Sequence, residues 1–268
     1  MSETPTTQDL LSIERRPGQA WVWINRPEVH NALNPPLIAA LTEALVRLQS
    51  VAEVRSIVLA GKGASFCAGA DLEWMRRAAD LDTRESLADT QCLARLYRTL
   101  YRSPKPVIAR VHGAAVGGGM GLVAACDIAV ATTQARFTLS EVRLGLIPAV
   151  IAPYVAEAIG PRQARRYCLT GETLSAEHAL RLGLVHELAE PAELDGKIEQ
   201  LGTLLARGGP AALDHAKRLL RTLGHGGPGD DGVIDECARQ IARVRTSDEA
   251  REGMDAFLAK RPPNWTGA

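Results

Sequence analysis

Apolar positions along this chain fall into two kinds of pattern. Four short runs are almost continuously apolar and β-branched: AWVWIN at 20–25, RSIVLA at 55–60, Val107 to Val111 and Asp127 to Ala131. Runs of this kind predict strands buried on both faces. Between them the spacing becomes helical. Pro35-Pro36 opens a segment with Leu37, Leu41, Leu45 and Leu48 at intervals of 4, 4 and 3, a helix with proline at its first position. Residues 84–102 read as a second helix, ended by Pro104 and Pro106. Gly61 and Gly63 punctuate the chain after one strand. Gly113 to Gly121 reads as a glycine-dense loop after another, with a helix over Leu122 to Cys126.

Strands alternating with helices predict an α/β fold with largely parallel pairing. From about residue 152 the pattern is helical and cut by glycine, with helices predicted over 191–206, 210–222, 232–245 and 247–259. The loop GHGGPGDDG at 224–232 reads as mobile. The organisation is an α/β body followed by a helical C-terminal portion.

Composition narrows the function. The 268 residues carry 31 basic against 31 acidic side chains, so bulk charge attracts neither nucleic acid nor an anionic membrane. The longest uncharged run, between His112 and Asp127, is too short and too rich in glycine to span a bilayer. MSETPTTQDL has no basic n-region and no apolar h-region. Five cysteines, never spaced CxxC, suit reduced thiols. Together these predict a cytoplasmic protein. Aromatics make up only 4% of the chain and glycines number 24, so backbone packs closely against backbone.

Several motifs carry nothing. Residues 224–229 spell G-x-G-x-x-G but follow a helix and contain Pro228, whereas dinucleotide binding needs strand, turn, helix. The six histidines lack metal-ligand spacing, and His112 reads as structural. What remains is two small-residue loops, SFCAGAD (Ser65 to Asp71) and HGAAVGGGMG (His112 to Gly121), each between a strand and a helix. Two main-chain N–H groups, one from each loop, can converge on one oxygen and stabilise an enolate or oxyanion. Tight turns in close-packed backbone would look the same. Glu141, in FTLSEVRLGLIP, sits among apolar neighbours. Two readings of it stand: a desolvated acid–base group, or an exposed glutamate paired with Arg143.

Six blocks, in order, resemble the crotonase family, also called the enoyl-CoA hydratase/isomerase family: NRPEVHNAL (25–33), SFCAGADL (65–72), KPVIARVHGAAVGGGMGLVAACDIAVA (105–131), FTLSEVRLGLIP (137–148), TGETLSAEHALRLGLVHEL (170–188) and EGMDAFLAKR (252–261). The resemblance implies a spiral of ββα units over residues 1–205, which binds an acyl-CoA thioester and does the chemistry. It also implies a C-terminal helical trimerisation region over 206–268, building a homotrimer or a hexamer of two trimers. Nucleic acid and membrane are not implied as partners. No metal or redox cofactor is implied, because CoA is part of the substrate.

Carried over residue by residue, the two N–H donors fall on Ala70 and Gly118 and the acid–base carboxylate on Glu141. Val29, Asn31, Ala32, Ala68, Asp71, Leu72 and Gly121 fall on substrate-binding positions. Lys260 matches a lysine that reaches the CoA phosphates, commonly from a neighbouring subunit. One departure matters. Hydratases of this family carry two glutamates, the first in the pattern GGG-x-E, and here Gly121 stands in its place. The resemblance is strongest to bacterial methylglutaconyl-CoA hydratase-type members, with LIPAVIAPYV as its most specific piece. Hydration of an enoyl-CoA, hydration of a branched glutaconyl-CoA whose distal carboxylate helps orient the water, and double-bond isomerisation by one glutamate all remain open. A catalytically weak CoA-binding scaffold is the reading from another class.

Overall fold

The computed structural model describes residues 10–223 and 230–266. The G-x-G-x-x-G segment at 224–229 and the first nine residues lie outside the described part. A six-stranded sheet, in the order β1-β2-β3-β4-β6-β9, contains β1 (Leu11–Arg16), β2 (Gln19–Ile24), β3 (Ser56–Gly61), β4 (Val107–Val111), β6 (Ile128–Thr132) and β9 (Glu187–Ala189). Only β1 is antiparallel to its neighbour; β2, β3, β4, β6 and β9 all run the same way. A smaller sheet, β5-β7-β8, is made of β5 (Ala114–Val116), β7 (Arg136–Thr138) and β8 (Thr173–Ser175).

The apolar runs are explained by burial on both faces. Alternate residues Val22, Ile24, Ile57, Leu59, Val107 and Ala109 join the larger core. Trp21, Trp23, Val58, Ile108 and Val130 face the other way, against Leu194 and Ile198 of α8 (Leu194–Ala206). The larger core is closed by α1 (Pro35–Gln49), whose Leu37, Leu41, Leu45 and Leu48 are all buried, and by the end of α3 (Thr83–Tyr101). Asn34 Oδ1 accepts from the N–H of Leu37 at 3.0 Å and fixes the start of α1.

The chain repeats one path: a strand in the large sheet, a strand or bridge in the small one, then a helix. From β3 the chain reaches a bridge between Cys67 and Ala115 and then α2 (Leu72–Ala78). From β4 it passes through β5 into α4 (Gly118–Ala124), and from β6 through β7 towards α5 (Ala152–Ile159). The ββα spiral is thereby present. Next come α6 (Pro161–Thr170), α7 (Ala176–Leu182), α8, α9 (Pro210–Leu223), α10 (Asp231–Arg245) and α11 (Asp248–Leu258). No described helix is long and apolar enough to cross a membrane.

One helix starts earlier than expected. The helix expected from Leu122 begins at Gly118, so half of the glycine run is helical. Glycine is a poor helix former, but a Cβ on Gly119 would lie 2.1 Å from the carbonyl oxygen of Cys67. The first turn of α4 rests directly on the other glycine loop, and that approach excludes any side chain.

Candidate active site

The exit ends of β2, β3 and β4 carry three segments that lock together. Arg26 to Leu33 follows β2, Lys62 to Asp71 follows β3, and His112 to Gly118 spans the exit of β4, β5 and the start of α4. Phe66 N–H donates to His112 O at 2.9 Å, Cys67 N–H to Ala114 O at 3.1 Å and Val116 N–H to Cys67 O at 2.9 Å. The loop after β3 thus extends the small sheet.

Two peptides in this assembly have fixed directions. Gly69 O accepts from the N–H of Leu33 at 2.6 Å, and the N–H of Asp71 donates to Leu33 O at 2.8 Å. Carbonyl and N–H point oppositely in a trans peptide. The N–H of Ala70, which shares a peptide plane with Gly69 O, is therefore turned away from Leu33. Likewise Gly117 O accepts from the N–H of Gly121 at 3.0 Å, so the N–H of Gly118 points out of the helix start, where it has no partner within the helix. A Cβ on Gly69 would lie 3.7 Å from Gly118 N and 2.8 Å from Val116 O. The two loops are thus in contact at Gly69, the neighbour of Ala70, and at Val116 and Gly118.

Glu141 stands on a single 3-10 turn, Glu141–Leu144, just after β7. Gly117 N–H donates to Thr138 O at 2.7 Å, which draws this turn against the start of α4. A Cβ on Gly117 would sit 2.9 Å from Glu141 Oε1, so a side chain there would push the carboxyl aside, and φ +50° at Gly117 favours glycine. The Glu141 side chain is half-buried, its Oε2 is shut from solvent, and no hydrogen-bond partner reaches that oxygen. Burial pushes the carboxyl above its usual range, offset in part by its own N–H. Arg143 is not its partner: its Nε would lie 3.0 Å from a Cβ on Gly171, and no ion pair joins it to Glu141 among the described residues. Glu141 is therefore partly desolvated and is not paired with Arg143.

The remaining expected residues divide. Ala70, Leu72 and Val29 are exposed and Ala68 is half-buried, so each presents surface at the rim. Ala32 is nearly covered, and its carbonyl is taken by Arg26 Nη1 at 2.5 Å. Asn31 needs correcting. Its side chain is wholly buried; it accepts from Arg26 N–H at 2.9 Å and donates to the carbonyls of Lys62 and Ser65 at 2.8 and 2.7 Å. It ties the loops together and lines no groove. Asp71 also belongs to the frame: one oxygen meets Arg26 Nη2 at 2.9 Å, and the other caps α2 through the N–H groups of Glu73 and Trp74. Burial alone would raise its pKa, but Arg26 and those N–H groups outweigh it and hold the carboxyl below its usual range.

Gly121 also needs correcting as a substrate contact, because it is buried. A Cβ there would lie 2.3 Å from Ile151 Cγ2 and 3.2 Å from Tyr97 Cε1. Those two side chains fill the space a carboxylate would need. Ile151 and Tyr97 are invisible to motif reading, since only packing brings them beside Gly121. The apolar AVIAPYV after Pro148 is the one trace that Ile151 leaves in the sequence. Lys260 lies just past α11, exposed. Its surrounding segment is anchored elsewhere: Trp265 O accepts from Arg55 Nη1 at 2.8 Å, and Arg55 Nη2 reaches Gly208 O at 2.6 Å. Arg55 marks the entry end of β3, opposite the loops at the exit end. His112 keeps a structural bond, with Nε2 2.8 Å from Gly63 O.

Two outward N–H groups beside an unpaired carboxyl make the arrangement of an enzyme that develops charge on an acyl oxygen and moves a proton nearby. Comparison with known proteins agrees. The enoyl-CoA hydratase/isomerase family model matches residues 14–268. An enoyl-CoA hydratase structure from Shewanella pealeana superposes with a TM-score of 0.92 at 40% identity, covering 98% of this chain and 100% of that one. The (E)-benzylidenesuccinyl-CoA hydratase of Thauera aromatica is 33% identical over 258 residues, 93% of this chain and 96% of the relative. The crotonyl-CoA hydratase of Syntrophomonas wolfei is 31% identical over 262 residues, 95% and 97% of the two chains. The chain belongs to the enoyl-CoA hydratase/isomerase family and is an enzyme.

Proposed function

We propose that this enzyme adds water across the 2,3 double bond of an enoyl-CoA, with Glu141 as its single acid–base carboxylate. The carrying observation is the position of Glu141 Oε1 beside Gly117, next to the outward N–H of Gly118. The thioester oxygen sits between the N–H groups of Ala70 and Gly118. Each donor contributes about 3–4 kcal/mol to the transition state, judging by the cost of removing one such donor. Glu141 takes a proton from water as the water oxygen bonds to C3. Electrons move onto the thioester oxygen, and the enolate collapses as Glu141 returns the proton to C2. One carboxylate closes this cycle, with water consumed and no other reactant. The raised pKa of Glu141 matches the task, because a more basic carboxylate accepts the water proton more readily.

Val29, Ala68 and Leu72 line the approach of the CoA arm. Lys260 serves the CoA phosphates of a neighbouring subunit, since its own loops lie at the other end of the strands. Residues 206–268 form the oligomerisation region, supported by the exposure of Ile234, Ile241, Met254, Phe257 and Leu258. A solution mass near 28.7 kDa, that of one chain, removes this part.

The missing second carboxylate favours a substrate that brings its own, such as a branched glutaconyl-CoA. The Thauera relative's name, with its benzylidenesuccinyl group, supports an acid-bearing acyl chain. A second reading is isomerisation of a 3-enoyl-CoA, favoured by Ile151 filling the space beside Gly121. Product mass decides. The purified enzyme is given crotonyl-CoA, 3-methylglutaconyl-CoA and a 3-enoyl-CoA. A gain of one water is the expected result, and an unchanged mass with a moved double bond overturns hydration. Equal rates on crotonyl-CoA and the glutaconyl-CoA remove the distal carboxylate.

A further inference from the structure

We propose that Tyr97 is a positioning residue, whose hydroxyl holds the Gly118–Gly119 peptide and, through the Gly118 Cα, the orientation of the adjoining Gly117–Gly118 peptide, so that the N–H of Gly118 meets the substrate oxygen. This rests on the reading of Gly118 as a donor to the thioester. Tyr97 lies on α3, well away from both glycine loops in sequence, and its side chain is fully buried. Its hydroxyl donates to Gly118 O at 2.8 Å. A Cβ on Gly118 would lie 2.9 Å from that hydroxyl and 3.0 Å from Leu33 Cδ1, so the residue that offers the N–H is clamped on its other side by two buried side chains.

The clamp has work to do. Gly117, Gly118 and Gly119 have no side chains to restrict their backbone, and glycine has the widest conformational range of any residue. Gly117 is tied through its N–H to Thr138 O and through its carbonyl to Gly121 N–H. Tyr97 supplies the side-chain tie one residue further on.

The hydroxyl is not explained by packing. The ring sits against Tyr154, with centroids 5.9 Å apart, and against the space beside Gly121. A phenylalanine would keep these contacts. Burying an unbonded hydroxyl costs stability, and here the acceptor is the donor residue of the site. Nearby Tyr101 turns its hydroxyl outward to Glu157, at 2.7 and 2.8 Å. Burial, with Cys67 and Glu141 close by, holds the Tyr97 phenol well above its usual pKa, so it remains a donor throughout the working range.

Tyr97→Phe in the full-length enzyme isolates the hydroxyl. Turnover on the best substrate of the panel is expected to fall about ten- to a hundredfold, the scale of a small misplacement at a reacting centre, with KM changed less than about twofold. A second readout uses trans-cinnamoyl-CoA as a probe. Polarisation of its carbonyl red-shifts its absorbance on binding, and the variant is expected to show a smaller shift at saturation. Unchanged turnover and an unchanged shift overturn the role of Tyr97. So does a loss confined to KM or to thermal stability, or a variant that does not fold. If the wild type neither turns over any thioester nor shifts the probe, the reading of Gly118 falls, and this one with it. If the wild type does both and Tyr97→Phe equals it, only Tyr97 falls.

Discussion

Among the described residues, two carboxyl groups are raised above their usual range by burial, and they lie at opposite ends of the parallel strands. Asp127 precedes β6 at the entry end; Glu141 follows β7 at the exit end. Asp127 is answered. Lys217 Nζ lies 2.6 Å from its Oδ2, and the N–H of Val107 donates to the same atom at 2.7 Å. Lys217 also donates to Lys105 O at 3.0 Å. Among the described residues, nothing hydrogen-bonds to Glu141 Oε2. Desolvation acts on both, but only one is left with unused hydrogen-bonding capacity. Saturated polar groups hold a fold in place, while an unsaturated one is available for a reaction.

The sharpest way to break this comparison is Glu141→Gln. Turnover is expected to fall about 10²- to 10⁴-fold, measured under saturating substrate, while the fold is kept. Undiminished turnover would end the role of Glu141.

Gly121→Glu comes next. The new side chain meets Ile151 and buries a second carboxylate, so about 3 kcal/mol or more of stability is expected to be lost. Adding Ile151→Ala opens the space, and the double variant is expected to be more stable than Gly121→Glu alone by urea denaturation. Strict additivity of the two losses would show that Ile151 does not occupy that space.

At the entry end, Lys217→Met leaves Asp127 buried and unpaired. The pair is 11% and 28% exposed at its side chains, so a loss of about 1–3 kcal/mol is expected, less than for a sealed pair. Adding Asp127→Asn is expected to restore most of it, with turnover per folded molecule unchanged throughout. A fall in turnover would give the entry end a part in the chemistry.

The smallest effect is on pH dependence. The folded pKa of Glu141 lies above its unfolded value, so its ionisation costs stability. That cost is absent below the ordinary carboxylate pKa and present once pH has risen through the folded one. The thermal midpoint of Glu141→Gln is expected to exceed that of the wild type at pH 7, with the gap closing as pH is lowered. A gap that widens in acid would reverse the sign of the shift.

The long strands and helices were legible because their patterns are long enough to show a period. Val107 to Val111 is a strand over the residues expected, and the helix expected over 210–222 runs over Pro210–Leu223. The three-residue strands β7, β8 and β9 were not, because three residues carry no periodicity. The contact between the glycine loops was legible from their composition. The family resemblance places Asn31 and Asp71 on substrate-binding positions. Their polar side chains instead satisfy buried loop carbonyls, Arg26 and a helix start, a use that no linear spacing reveals. Tyr97 and Ile151 reach the site from α3 and the segment before α5, through packing alone.

The two outward N–H groups belong to the main chain, which every residue except proline carries. A point mutation at Ala70 or Gly118 to any residue but proline reshapes the site yet leaves the N–H in the chain. Glu141 is different: one changed codon deletes its carboxylate. Under the proposed mechanism, the capacity to hold a negative oxygen is therefore harder to lose over a lineage than the capacity to move a proton. Descendants of this chain that change their reaction are expected to keep the first and replace the second.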